Sequence, residues 1–249
     1  MKPCIALAAL PLCCAVTLPC SASAASRQGS SPGVRSGSIT GIVTFNGPLP
    51  RSARIDMAQE PVCAQMHGGP TISSMILAGP NNTLGNVIVY ISRGLNQQHY
   101  DPPKEPLVID QKGCIFEPHV LAIQAHQKLL VLNSDPTMHN IHPLAEYNPS
   151  WNRSQTETMS PIETSFAHEE IAIRVKCNVH PWMKGYIAVF AHPYFAVTGR
   201  EGRFELKNLP PGTYTITAWH ETFGTIEKQV TVGSEESKKL EFAFRTLGD

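Results

Sequence analysis

The chain has 249 residues, with Lys+Arg and Asp+Glu at 20 each and a formal net charge of zero at neutral pH. Balanced charge without a basic block argues against a nucleic-acid partner, and this length suits one large or two small domains. Pro and Gly are frequent, and short alternating runs of Val, Ile and Thr replace any sustained helical apolar period, so the chain reads as all-β.

The N-terminus fixes the chemical compartment. Met1-Lys2 is a short positive start, Ile5 to Leu18 is an apolar run broken by Pro11, and Ala22-Ser23-Ala24 places small residues at a cleavage point. Residues 1–25 are therefore expected to be a secretory signal, and the mature chain to be secreted or periplasmic. A lipid anchor on Cys20 at the cell envelope is the alternative, which Pro19 suits badly. No later stretch approaches the roughly 20 apolar residues of a spanning helix. Residues 26–36, rich in Ser and Gly, read as a flexible tether. Four of the 7 cysteines, Cys4, Cys13, Cys14 and Cys20, leave with the signal, and Cys63, Cys114 and Cys177 remain. In an oxidising compartment two of these are expected to pair and the third to be protected or used.

Strands are expected at Ile39–Phe45, Val87–Ile91, Leu107–Ile109, Val120–Gln124, Lys128–Leu132, Ile171–Cys177 and Tyr186–Phe190. Further ones follow at Arg203–Leu206, Thr213–Trp219, Gln229–Val232 and Leu240–Phe244. Each is short and bounded by turn residues. Between Leu144 and Phe166 the pattern dissolves, which predicts a long loop with at most a helical turn.

In Ile171–Met183 (IAIRVKCNVHPWM) the period-two alternation carries Cys177 to the buried face, and His180 and Met183 follow at once. A thiolate, an imidazole and a thioether on one tight loop are three copper donors. Copper cycles between Cu(I), which prefers soft sulfur, and Cu(II), which prefers nitrogen; a trigonal His-His-Cys set with a weak axial Met lies between the two. The second imidazole is expected from Val131–Pro143 (VLNSDPTMHNIHP). His139 is preferred there because Asn140 beside it could hydrogen-bond across to the ligand loop; His142 is the alternative. Other chemistries fit less well. A Cys-His nucleophile pair draws its histidine from a distant segment, and Met is a poor zinc ligand.

Cys177-Asn178-Val179-His180-Pro181-Trp182-Met183 resembles the short ligand loop of amicyanin, and Met138-His139-Asn140-Ile141-His142 resembles the segment that holds its first histidine. The run from Cys114-Ile115-Phe116-Glu117-Pro118 to Asn133-Ser134-Asp135 also resembles cupredoxins. The resemblance implies a Greek-key β-sandwich over residues 105–193 with one type 1 copper ion held by His139, Cys177, His180 and Met183. By the same resemblance the His180 ring edge would face solvent within an apolar patch, including Pro181 and Trp182, where redox partner proteins dock. Cys63 and Cys114 are then the expected disulfide.

The C-terminal part, with Gly202-Arg203-Phe204 and Leu209-Pro210-Pro211-Gly212-Thr213-Tyr214, resembles the carboxypeptidase regulatory-like family, a transthyretin-type β-sandwich. Gly37–Val43 and Gly85–Tyr90 resemble its first two strands. Residues 37–97 and 196–246 are therefore expected to form one discontinuous sandwich with the cupredoxin inserted, a tandem arrangement being the alternative. His67, His119 and His220 are read as structural or surface histidines. The expected activity is that of a one-electron carrier rather than an enzyme; the alternative is a copper-trafficking or interaction protein whose site does not cycle.

Overall fold

Alternation at period two decides which face of each strand turns inward. Phe204 and Leu206 show it, buried between exposed Arg203, Glu205 and Lys207, and an irregularity at Asn208, φ +57°, then shifts the alternation so that Leu209 is buried as well. The computed structural model describes residues 35–67 and 69–246; the expected signal and nearly all of the tether lie outside them. The described chain is all-β apart from a short helix, Pro61–Gln65, and one 3-10 turn. No helix among the described residues is long and apolar enough to cross a membrane.

Strands before Gly94 and after Pro193 pair among themselves. Gly37–Phe45 lies between Arg203–Leu209, antiparallel, and Ser237–Phe244, parallel. The facing sheet runs in the order Phe195–Val197, Ile88–Arg93, Gly212–His220, Gly224–Val232. Ile39, Val43, Leu84, Val89, Ile216 and Phe242 fill the space between. Gly202 turns the chain at φ +64°, and a Cβ there would sit 2.3 Å from the Val43 carbonyl oxygen, so no other residue fits.

Strands from Leu107 to Phe190 form a second pair of sheets. One runs Arg153–Gln155, His139–Leu144, Glu170–Lys176, Lys184–Phe190, Val120–Gln124; the other runs Ile162–Thr164, Leu129–Asn133, Leu107–Gln111, Phe116–Glu117. Ile109, Phe116, Ile123, Val131, Val175 and Ile187 are the core between them. Ile88 from the first sandwich meets Val120, Ala188 and Phe190 from the second, with Tyr186 and Trp219 packed alongside. Beside this contact His119 Nε2 and the Glu221 carboxylate form a hydrogen-bonded pair whose side chains are almost fully buried. An Arg54–Ile55/Thr71–Ile72 hairpin and the helix between its strands belong to neither sandwich's sheets.

The stretch expected to be a loop between Leu144 and Phe166 contains two strands and no helical turn. Arg153–Gln155 and Ile162–Thr164 join edges of different sheets. Buried Gln155 holds this crossing in place: its Nε2 donates to the Val131 and Ser160 carbonyls, and its Oε1 accepts from Gln111 Nε2. An amide anchor leaves no mark on apolar periodicity. The loop before it is held by the Glu170 carboxylate, which accepts from the backbone N–H groups of Glu146, Tyr147 and Asn148.

His220 is fully buried and stacked on Phe223 at 4.7 Å, with its Nδ1 accepting from the Thr222 N–H and its Nε2 without a partner. Burial, helped by the nearby His119, pushes its pKa from 6.5 to about 4. The folded state therefore holds this ring neutral while the unfolded chain protonates it. This contribution to stability is complete above pH 6.5 and declines as pH falls toward 4. Melting temperatures taken from pH 7 down to 4.5 should fall less steeply for His220→Phe than for the wild type; parallel curves would refute this.

Candidate metal centre

Two chain segments converge at one end of the second sandwich. The first is the turn after Leu129–Asn133, where Asn133 Oδ1 accepts from the Asp135 N–H at 3.1 Å and Asn133 Nδ2 donates to the Thr137 carbonyl at 2.9 Å. This delivers His139 as the first residue of its strand with the ring inward. The second is Glu170–Lys176, where Ala172 adopts φ +63° and the pairing register shifts between Glu170 and Ile173. That bulge resets the alternation so that Ile173, Val175 and Cys177 all face the core. The loop beyond closes on itself: the Cys177 N–H donates to the Met183 carbonyl at 3.2 Å and the Met183 N–H to the His180 carbonyl at 2.9 Å.

His139 Nδ1 lies 2.9 Å from His180 Nδ1, and His180 Nδ1 lies 3.9 Å from Cys177 Sγ. His139, Cys177 and His180 each offer one donor atom within 4.8 Å of the others. These side chains are 0 %, 2 % and 1 % exposed, and Met183 is wholly buried in the same core. A first-row ion with bonds of about 2.0 Å to two imidazoles at about 90–100° needs an N···N separation of about 2.8–3.1 Å. The donors present meet that requirement without rearrangement, and a thiolate with two imidazoles is a set that suits copper. His142 is half-buried on the opposite face of its strand, opposite Lys176, and is not part of the cluster.

Hydrogen bonds fix each donor. His139 Nε2 donates to Asp135 Oδ2 at 2.8 Å, which leaves the Nδ1 lone pair pointing into the site when the ring is neutral. The Asp135 carboxylate also accepts from the N–H groups of Gly113 and Cys114, at 2.6 and 2.7 Å. Asn140 Oδ1 accepts from the Asn178 N–H at 2.6 Å and from Cys177 Sγ at 3.3 Å, joining the two segments. The N–H groups of Asn140 and His180 point at the Cys177 sulfur from 3.5 and 3.4 Å.

These contacts set the charges. Burial alone would raise the Cys177 thiol pKa, but its hydrogen bond with His139 and the backbone N–H groups bring it below the ordinary value. Burial opposes charge on Asp135 too, yet His139 and the amides of Cys114 and Gly113 hold its pKa down. Burial disfavours the His139 cation, and the bonds to Asp135 and Cys177 outweigh it, so its pKa rises. The pKa of His180 falls through burial and then through the charge on His139. These contacts therefore favour charge on Cys177, Asp135 and His139 and disfavour it on His180.

The expectation that the His180 edge faces solvent is wrong. Cys63 and Cys114 form a disulfide with an S–S distance of 2.07 Å, and Cys63 Sγ sits 3.7 Å from His180 Nε2. Trp182 stacks on the His180 ring at 5.2 Å and donates its indole N–H to the Cys114 carbonyl at 3.0 Å. The helix Pro61–Gln65, which carries Cys63, is the lid. The chain neighbours of the two histidines, Met138 and Val179, are 47 % and 41 % exposed, and Pro181 is exposed. Cys177 is the free cysteine among the described residues. The sequence places Asp135 in the Asn133-Ser134-Asp135 run that resembles cupredoxins, but it does not signal the contacts of its carboxylate with His139, Gly113 and Cys114.

Residues 187–245 match the carboxypeptidase regulatory-like domain family, a match that starts inside the strand Lys184–Phe190. No curated protein matches the chain. Among solved structures, similarity is found to a copper-containing nitrite reductase from Thermus scotoductus, at 18 % identity and TM-score 0.33 over 41 % of this chain; the match spans 26 % of that enzyme. An oxidised proline-to-glycine mutant of amicyanin is similar at 15 % identity and TM-score 0.31, over 41 % of this chain and 97 % of its own. A purple cupredoxin from Nitrosopumilus maritimus is similar at 21 % identity and TM-score 0.29, over 33 % of this chain and 98 % of its own.

Replacing Asp135 by Ala leaves a buried imidazole and two backbone N–H groups without their acceptor. Breaking a buried pair of this kind costs about 3–5 kcal/mol. Equilibrium unfolding of metal-free Asp135→Ala in denaturant should show a loss of that order, and a change within about 0.5 kcal/mol, as for an ordinary surface substitution, would refute the role given to the carboxylate.

Proposed function

We propose that this protein is a secreted or periplasmic type 1 copper protein that carries single electrons through one copper ion bound by His139, Cys177, His180 and Met183. The observation that carries the reading is the convergence of His139 Nδ1, Cys177 Sγ and His180 Nδ1 in a buried pocket with Met183 in the same core. Bound there, copper would supply a centre that alternates between Cu(II) and Cu(I). The protein's part is to hold the donors still. Asp135 locks one ring, Asn140 ties the ligand loop to the opposite segment, and the amides of Asn140 and His180 stabilise charge on sulfur. Such fixed geometry suits an ion that must change oxidation state without moving its ligands.

In this reading residues 105–193 are the cupredoxin, and residues 37–97 and 196–246 are the carboxypeptidase regulatory-like sandwich that carries it. The second sandwich serves as a mount or docking module, and the carrier is not itself an enzyme. Redox partner proteins approach the rim of Met138, Val179 and Pro181.

Copper(II)-loaded, signal-free protein should show an intense visible thiolate-to-copper band and a reversible redox couple, and Cys177→Ser should remove both. His139→Ala should abolish the band while His142→Ala leaves it in place. A colourless copper complex would sink the electron-carrier reading in favour of a trafficking site, and the opposite result for the two histidines would move the ligand to His142.

A further inference from the structure

His180 has a second ring nitrogen that the proposed centre does not use, and what faces it is sulfur. Its Nε2 contacts Cys63 Sγ at 3.7 Å, the one hydrogen-bonding contact of that nitrogen among the described residues. The sulfur atoms of Cys63 and Cys114 and a ring nitrogen of His180 lie within 4.8 Å of one another, and all three residues are buried. An ion with bonds of about 2.3 Å to thiolate and about 2.0 Å to imidazole, at about 120°, requires an S···N separation of about 3.7 Å. That is the separation present. Two thiolates on the same trigonal ion stand about 4 Å apart, so each sulfur has to move by about 1 Å once the S–S bond is open.

We propose that Cys63 and Cys114 in their dithiol state, with His180 Nε2, form a second metal site that takes Cu(I) and shares the His180 ring with the first. Two thiolates and one imidazole, all buried, match the soft, low-coordinate preference of Cu(I). Zn(II) wants a fourth ligand, and Asp135, a carboxylate grouped with Cys114, is already engaged by His139 and the amides of Gly113 and Cys114. Opening the site is a two-electron step. A dithiol reductant gives two electrons and two protons to the Cys63–Cys114 bond and becomes a disulfide itself; Cu(I) then displaces the two thiol protons and, when the first centre is filled through Nδ1, the His180 Nε2 proton as well, which goes to solvent, with no change in its own oxidation state.

Access is through the lid. The Arg54–Ile55 and Thr71–Ile72 strands pair only with each other, and apart from the disulfide the segment is tied to the second sandwich by His67 Nε2 donating to the Gly113 carbonyl at 2.7 Å and by apolar packing of Ile55, Met57 and Met66. A groove of about 500 Å³, lined by Met57, Ala64, His67 and Thr71, runs along the helix that carries Cys63.

The test titrates Cu(I) into the full signal-free chain, anaerobically, against a chromophoric Cu(I) chelator, before and after reduction of the disulfide with a water-soluble phosphine. Reduction should add one equivalent of tightly bound Cu(I), and the increment should vanish in Cys63→Ser. X-ray absorption of reduced Cys177→Ser carrying one Cu(I) should show two sulfurs and one imidazole nitrogen. Equal stoichiometry in the two redox states overturns the proposal. So does a sulfur-only shell, which is also what an unfolded reduced chain would give. The outcome is separable from the function proposed above: the oxidised protein reports the first centre, and the increment on reduction reports the second.

Discussion

A carboxylate buried at 1 % exposure is the constraint around which the ligand end is arranged. An isolated ion there would be prohibitively costly, so Asp135 must be neutralised by groups that the fold holds in place. It is met by one imidazole, His139, and by two consecutive backbone N–H groups, Gly113 and Cys114. Those two amides belong to the turn that presents Cys114 to Cys63. One negative charge therefore fixes both the ring that points into the site and the turn that anchors the lid. Because the amides are part of the backbone, the arrangement cannot relax by side-chain rotation alone.

The disulfide continues the same chain of constraint. Its cysteines are 51 positions apart, and closing a loop of that length removes denatured-state entropy equivalent to about 4 kcal/mol. The lid has few other attachments, so much of its order depends on this bond. The second sandwich is held from the other side by the Ile88–Val120–Ala188–Phe190 contact and the buried His119–Glu221 pair. The lid is anchored at the turn between Leu107–Gln111 and Phe116–Glu117 in one sheet, and the first sandwich packs on Val120, Ala188 and Phe190 of the other.

The sequence shows strands where apolar alternation is regular, and it misses them where polar anchors do the holding. Val120–Gln124 has the limits its residues suggest, and Ile173, Val175 and Cys177 are inward as alternation requires. The strands of Arg153–Gln155 and Ile162–Thr164 depend on Gln155, whose bonds reach carbonyls far along the chain. Ile171 is displaced from the expected face by the Ala172 bulge, which no propensity announces. At the site, residue types in two segments signal a donor set, because ligand chemistry is local. The cover over His180 is not local: Cys63 lies 117 positions before it, on a helix of five residues with no amphipathic signature of its own.

That cover changes what kind of surface the site offers. A histidine edge open to water lets a partner approach the metal ligand directly, whereas here a disulfide and an indole stand over the ring. Excluding water strengthens the electrostatic influence of Asp135 and of the amides that face the Cys177 sulfur, because each acts in a medium of lower dielectric constant. The covered ring is held by the same backbone turn that binds Asp135, so a change in the disulfide cannot leave the first imidazole undisturbed. Through Cys114, whose N–H binds Asp135, whose carbonyl accepts from Trp182 and whose sulfur is bonded to Cys63, the lid and the candidate donors are joined at one turn.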